Sequence, residues 1–296
     1  MPIRFACPHC GTETDVAEAY AGRSGPCASC GETITVPAAG SVARPAAGKS
    51  TSAALVLGIV VGVCVLGVVV VCGGILVALL LPAVQSARQA AQQTECRKNL
   101  QQIATAIFEY RQRYDTFPPP YLADQNGRPI HSWRVLILPF LGERTLYDRY
   151  RFDQPWDSPA NRAVAETIPR VYRCPAAPAG SRGETSYVMI TGPRSFSTVT
   201  GPRRRLGEFP DGAVRTLMLV ETLDSGIDWA EPQDFEVGQM GFEINGPEGG
   251  GISSGHPGGA HAAMCDGSVL FLSEWTTAEE VRAMTTIDGG ETISPD

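Results

Sequence analysis

Hydrophobic and polar positions divide this chain into three regimes. Residues 53–81, AALVLGIVVGVCVLGVVVVCGGILVALLL, carry no charged residue and no strongly polar one. As a helix this run reaches roughly 43 Å, longer than the ~30 Å hydrocarbon core of a bilayer. It is expected to be a transmembrane helix in contact with lipid. A cleaved signal peptide fits poorly, because the run is too long, starts too far in and ends without a small-residue cleavage site. Ahead of it, residues 1–36 hold little apolar mass. Residues 37–52, PAAGSVARPAAGKSTS, have the composition of a flexible linker.

After Pro82 the pattern becomes periodic. Leu100, Ile103, Ala104, Ile107 and Phe108 fall at i, i+3, i+4, i+7 and i+8, so residues 83–114 read as an amphipathic helix. Cys96, four residues before Leu100, lies on the same stripe. Pro82 should kink or briefly break the helix, since proline removes one helical hydrogen bond and crowds the preceding turn. FPPPY at 117–121 ends it. Ser132 can cap a short apolar helix, WRVLILPFL, and further short helices are expected at 143–150 and 158–167. SYVMIT (186–191) and RTLMLVET (215–222) are strand-like, and AHAAMC and SVLFLS flank Asp266-Gly267, a two-residue hairpin signal. Thr277 and Glu280 have the spacing of a capping box for a last short helix. The fold class is α+β: a long helix, half transmembrane and half amphipathic, packed on an antiparallel sheet. The domains are 1–36, a linker at 37–52, the span 53–81 and a body at 82–296.

The nine cysteines sort by setting. Cys7-Pro-His-Cys10 and Cys27-Ala-Ser-Cys30 are paired knuckles whose four thiolates suit one tetrahedral zinc ion. A segment of this size is too small for an unaided core, so the metal should supply its folding free energy. Two disulfides or an iron site are the alternatives. His9 sits inside the first knuckle and reads as a bystander, because four cysteines complete the set. Residues 1–36 carry Arg4 and Arg23 against Glu13, Asp15, Glu18 and Glu32, and the whole chain has a net charge of -7. Nucleic-acid binding draws on positive charge, so none is expected. Thiolate zinc sites persist in reducing compartments, which places the N-terminus in the cytoplasm and residues 82–296 outside a bacterial inner membrane. Arg44 and Lys49 before the span are balanced by Arg88, Arg97 and Lys98 after it, so the positive-inside count is neutral.

Outside the cytoplasm, a disulfide between Cys96 and Cys174 would tie the helix to the middle of the domain, two buried thiols being the alternative. Cys265 reads as a packed small residue, and Cys64 and Cys72 as apolar fillers in the span. Gly58 and Gly62 have the spacing that lets two membrane helices meet, so a helix-mediated oligomer is open to the chain. Glu221, Asp224, Asp228, Glu231 and Asp234 offer the hard oxygens that calcium takes, but a solvated loop is the simpler reading.

From Leu79 onward the chain resembles a large bacterial family of pseudopilin-like proteins. The matching pieces are LLLPAVQSARQAAQQTECRKNLQQIATAIFEY, HSWRVLILPFL, FDQPWDSPANRAVAETIPRVYRCP, DGAVRTLMLVET and HPGGAHAAMCDGSVLFLS. In the last, His256 and Asp266-Gly267 have the family's spacing of His, nine residues, Asp-Gly. The resemblance implies a pilin-like fold, with a long N-terminal helix on an antiparallel sheet, and a function that is not established. FACPHCG, AGRSGPCASCG and ITVP likewise resemble small zinc ribbons at the N-termini of bacterial membrane proteins. One departure matters. Prepilins have a Gly-Phe-Thr-Leu-Ile-Glu type start, where this chain has AALVLGIVVGV. The N-terminus is therefore expected to be retained, and assembly into a classical filament is not expected.

Three functions fit these features. The first is a non-enzymatic, membrane-anchored pseudopilin-like protein serving envelope structure or secretion, with protein partners in the envelope. The second is a transmembrane sensor or adaptor whose outer domain binds a ligand and whose ribbon reports it. The third is an envelope hydrolase using the His256 region. No nucleophile elbow or metalloprotease helix accompanies His256, His261 and Asp266, so Asp266-Gly267 reads as a turn and His256 as a loop brace.

Overall fold

The computed structural model describes residues 2–38, 51–178, 183–198, 205, 209–247 and 249–290. Most of the expected linker, 39–50, lies outside the described residues. The chain divides into two compact units, Met1–Ile75 and Leu76–Asp296.

The first unit opens with two hairpins. β1 (Ile3–Ala6) pairs antiparallel with β2 (Glu13–Val16), and after a 3-10 turn at Glu18–Tyr20, β3 (Ser24–Pro26) pairs with β4 (Thr33–Thr35). Each hairpin turns at a cysteine knuckle. Gly11 and Gly31 follow the knuckles with φ of 74° and 77°, a conformation that glycine enters without a Cβ penalty.

α1 (Thr51–Tyr114) runs through Pro82 without a break. Of the expected kink or short break, the break is absent. A proline φ is already helical, and the ring removes only one hydrogen bond of the ladder, a loss that apolar helices accommodate. From Leu55 to Leu81 the large apolar side chains are exposed, and the helix is long and apolar enough to cross a membrane. Further along, Cys96, Leu100, Ile103, Ala104 and Ile107 are buried, so the stripe read from the sequence is the face that packs.

The second unit is built on a five-stranded sheet in which Val269–Ser273, Gly259–Met264, Leu217–Glu221, Tyr187–Thr191 and Phe235–Glu236 lie side by side in that order. A small hairpin, β5 (Tyr121–Ala123) with β6 (Pro129–Ser132), leads into α2 (Trp133–Leu136), whose N-terminus is capped by Ser132. α3 (Arg144–Arg149) and α4 (Pro159–Ala165) follow. β7 (Tyr187–Thr191) pairs antiparallel with β8 (Leu217–Glu221) and parallel with the two-residue β9 (Phe235–Glu236). β10 (Gly259–Met264) and β11 (Val269–Ser273) form the hairpin at Asp266-Gly267, and α5 (Ala278–Met284) starts with the Thr277–Glu280 capping box. Side chains alternate across the sheet. Tyr187 and Met189 join the core that contains the α1 stripe, whereas Val188 and Ile190 join Val281 and Met284 of α5 on the other face. The result is the α+β class expected, with the amphipathic half of one long helix packed against an antiparallel sheet.

Candidate functional site

Two clusters of ligating side chains stand out, one in each unit. In the N-terminal unit the knuckles are built alike. Gly11 N–H donates to Cys7 O and Gly31 N–H to Cys27 O, both at 2.9 Å, while Cys7 and Cys27 N–H reach Thr12 O at 3.0 Å and Glu32 O at 2.8 Å. These bonds turn both sulfurs of each knuckle the same way. Cys7 Sγ lies 3.9 Å from Cys30 Sγ, and Cys10 Sγ 3.9 Å from Cys27 Sγ. The four sulfurs lie within 4.8 Å of one another, near the edge lengths of a zinc–thiolate tetrahedron. His9 is exposed and stands outside the set. Proton affinities in the cluster are spread widely. Hydrogen bonding with Thr12 brings the Cys10 thiol down to about 6. Cys30 is drawn down by the backbone at Glu32, but desolvation and its three cysteine neighbours push it up to about 12. Four sulfurs this close do not ionise together unless a cation joins them, so their arrangement is compatible with a metal site.

The second cluster forms where α1, the segment after α4, β8 and the loop before β10 meet. Cys96 and Cys174 are joined by a disulfide with Cα atoms 5.3 Å apart. Cys174 is fixed by its own N–H donating to Ser186 Oγ at 3.0 Å, and the preceding carbonyl, Arg173 O, accepts from Asn99 Nδ2 at 3.0 Å. His256 Nε2 stands 3.3 Å from Cys174 Sγ and 3.4 Å from Glu221 Oε1. The loop carrying His256 comes this close because Gly255 has no side chain, since a Cβ there would run into the carbonyl oxygen of Ala176. Ser254 Oγ, accepting from His256 N–H at 3.0 Å, sets the ring's entry. Glu221 Oε2 accepts from His261 N–H at 3.0 Å and lies 3.3 Å from His261 Nδ1. Oε1 makes no hydrogen bond and is buried. Burial pushes the Glu221 carboxyl up, but the neighbouring His256 and His261 outweigh it and hold it below its ordinary value.

The residues singled out in the sequence are thus distributed unevenly. His256 belongs to the buried cluster, between Cys174 Sγ and Glu221 Oε1. Asp266 forms the hairpin turn, its Oδ1 accepting from Ser268 N–H and Oγ, and Gly267 takes the φ of 88° that the turn requires. Cys265 is buried in the α1-side core. Cys64 and Cys72 are exposed on the apolar half of α1. The acidic stretch is not a solvated loop, and its members do not converge. Glu221 turns into the histidine cluster. Asp234, with its side chain 3% exposed, pairs at 2.6 Å with the fully buried Arg134. Asp224 is exposed. The correction has a physical cause, since a carboxylate can be buried wherever a cation and several N–H donors surround it. Arg134 is the buried charge that sequence reading missed, and Glu221 was read only as one of a row of acidic residues. The available signal was a charged residue inside an otherwise apolar element: Arg134 in WRVLILPFL, Glu221 at the end of LMLVE.

Residues 85–243 and 238–279 match the family model described as protein of unknown function (DUF1559). No curated protein and no solved structure matches the chain.

Proposed function

From the premise that the chain belongs to the DUF1559 family of pseudopilin-like bacterial proteins, we propose that it is a membrane-anchored, non-enzymatic pseudopilin-like protein serving envelope structure or secretion. The carrying observation is α1 itself. It is one unbroken helix, lipid-suited and exposed over its first half, and buried against a sheet over its second. A pilin-like helix divides its surface in this way between bilayer and globular body. The span lacks the charged residue and the basic-Gly junction of a prepilin start, so the ribbon stays attached and binds one structural zinc on the cytoplasmic side. The body of the chain then lies outside, where the Cys96–Cys174 disulfide is favoured by an oxidising compartment. Its partners are other envelope proteins, met through the outer surface and the span. The inward-facing His256, His261 and Glu221, each 5% exposed or less, suit a structural role better than substrate access.

Reporters fused after Asp296 test the orientation on which this reading depends. An alkaline phosphatase fusion, active only where its own disulfides form, should be active, and a green fluorescent fusion through the same junction should be dark. The reverse pattern would place the body in the cytosol and overturn the reading.

A further inference from the structure

The buried cluster in the outer domain brings four potential ligands together, two of them joined in the disulfide. Cys96 Sγ, Cys174 Sγ, Glu221 Oε1 and His256 Nε2 lie within 4.8 Å of one another, and all four residues are buried. Zinc bound at about 2.0–2.3 Å to two sulfurs, a nitrogen and an oxygen needs ligand separations of roughly 3.3–3.8 Å. The set therefore spans about the right volume, and the thiolates and imidazole are donors that zinc prefers. Glu221 supplies the independent observation. Its Oε2 is held by His261, while its Oε1 is buried without a hydrogen bond and faces His256 Nε2. A buried carboxylate oxygen that makes no hydrogen bond is costly, and a cation held between Oε1 and His256 Nε2 would satisfy it. His261 then plays the part of an outer-shell residue that orients a ligating carboxylate. Access exists from the side of Cys174, which lines a cavity of about 460 Å³ together with Glu95, Asn99, Arg170 and Arg173.

We propose that reduction of the Cys96–Cys174 disulfide converts this cluster into a second metal site, for a zinc-like divalent cation held by Cys96, Cys174, His256 and Glu221. The reductant is a dithiol. It becomes a disulfide and passes two electrons and two protons to Cys96 and Cys174, breaking their sulfur–sulfur bond. The cation then displaces both thiol protons to solvent and takes a lone pair from His256 Nε2 and one from the Glu221 carboxylate. Oxidation by a disulfide reverses the exchange and expels the ion. The outer domain thus has two covalent states at one place, a bridge and a metal clip, each joining α1 to the segment at Cys174.

Cobalt(II) titration of the full chain in detergent, with metal analysis and the near-ultraviolet thiolate-to-cobalt band as readouts, tests this directly. Under a phosphine reductant the wild-type chain should bind one more ion per chain than C96S/C174S under the same conditions, and one more than chain kept oxidised. E221Q and H256Q should each weaken that additional ion at least tenfold and leave any ribbon ion unchanged. These two variants keep both cysteines, so they remain informative if the double serine variant fails to fold. Equal stoichiometry in the reduced and oxidised chains would overturn the proposal, as would undiminished affinity in both E221Q and H256Q.

Discussion

Asp234→Ala should be among the most destabilising single changes in the outer domain. Asp234 Oδ1 accepts from Arg134 Nη2 at 2.6 Å and from Met189 N–H at 2.8 Å, and Oδ2 accepts from Trp133 Nε1 at 2.9 Å. The Arg134 side chain is completely buried. Its remaining partners are neutral oxygens: Tyr187 O at 3.2 Å from Nη2, Ser132 Oγ at 3.1 Å and Gln233 O at 3.3 Å from Nη1. Removing the carboxylate leaves a buried guanidinium without a counter-charge, a loss of about 3–5 kcal/mol. It also strands the Met189 N–H on β7, beside the short β9, where the cost overlaps with the first and is not added to it. For a domain of this size each kcal/mol moves the melting temperature by about 2–4 °C, so a drop of about 6–20 °C is expected. Calorimetry of the full chain in detergent, with urea unfolding as the second measure, reads this out. Removing both charges in R134M/D234L should recover more than half of the loss, because the desolvation cost of the pair disappears along with its attraction. A D234A variant within about 1 kcal/mol of wild type, or a double variant no more stable than D234A, would refute the reasoning.

Protein isolated without reductant should contain one zinc per chain, and Cys10→Ser should remove it; chelation should unfold the ribbon and leave the cooperative melting of the outer domain in place. Intact mass of the membrane-extracted chain should include the ribbon, and a new terminus between Ala53 and Leu81 would show that the anchor is processed. Cys96 and Cys174 should resist thiol labelling in denaturant until reductant is added. With a sequence separation of 78, opening that bridge should lower stability by about 4.5 kcal/mol on the chain-entropy account, and full labelling without reductant would also count against an oxidising location.

Much of the architecture was legible because its signals are local. A knuckle is two cysteines with two residues between them, a capping box spans three positions, and Asp266-Gly267 asks for a turn whatever surrounds it. The α1 stripe follows from a period of 3.6 applied to Leu100, Ile103, Ala104 and Ile107, all of which are buried. Whether Pro82 would interrupt α1 was not legible locally, since its effect on a helix depends on whether the neighbouring turns tolerate one missing hydrogen bond. β9 left no trace, because two residues cannot display a period and their pairing with β7 is made across 45 positions.

What the sequence determined by itself is therefore the kind of element at each place and the chemistry that short spacings can build: a thiolate metal site, an apolar span, an amphipathic helix, a hairpin. The tertiary structure alone decided the fate of the buried charges. Glu221 and Asp234 belong to one acidic stretch in sequence, yet one meets His261 from 40 positions away and the other Arg134 from 100. The physical reason is that a carboxylate's preference for water or for the interior is set by the donors brought around it. Those donors stand on α2, β7 and β10, elements that only the tertiary fold brings together.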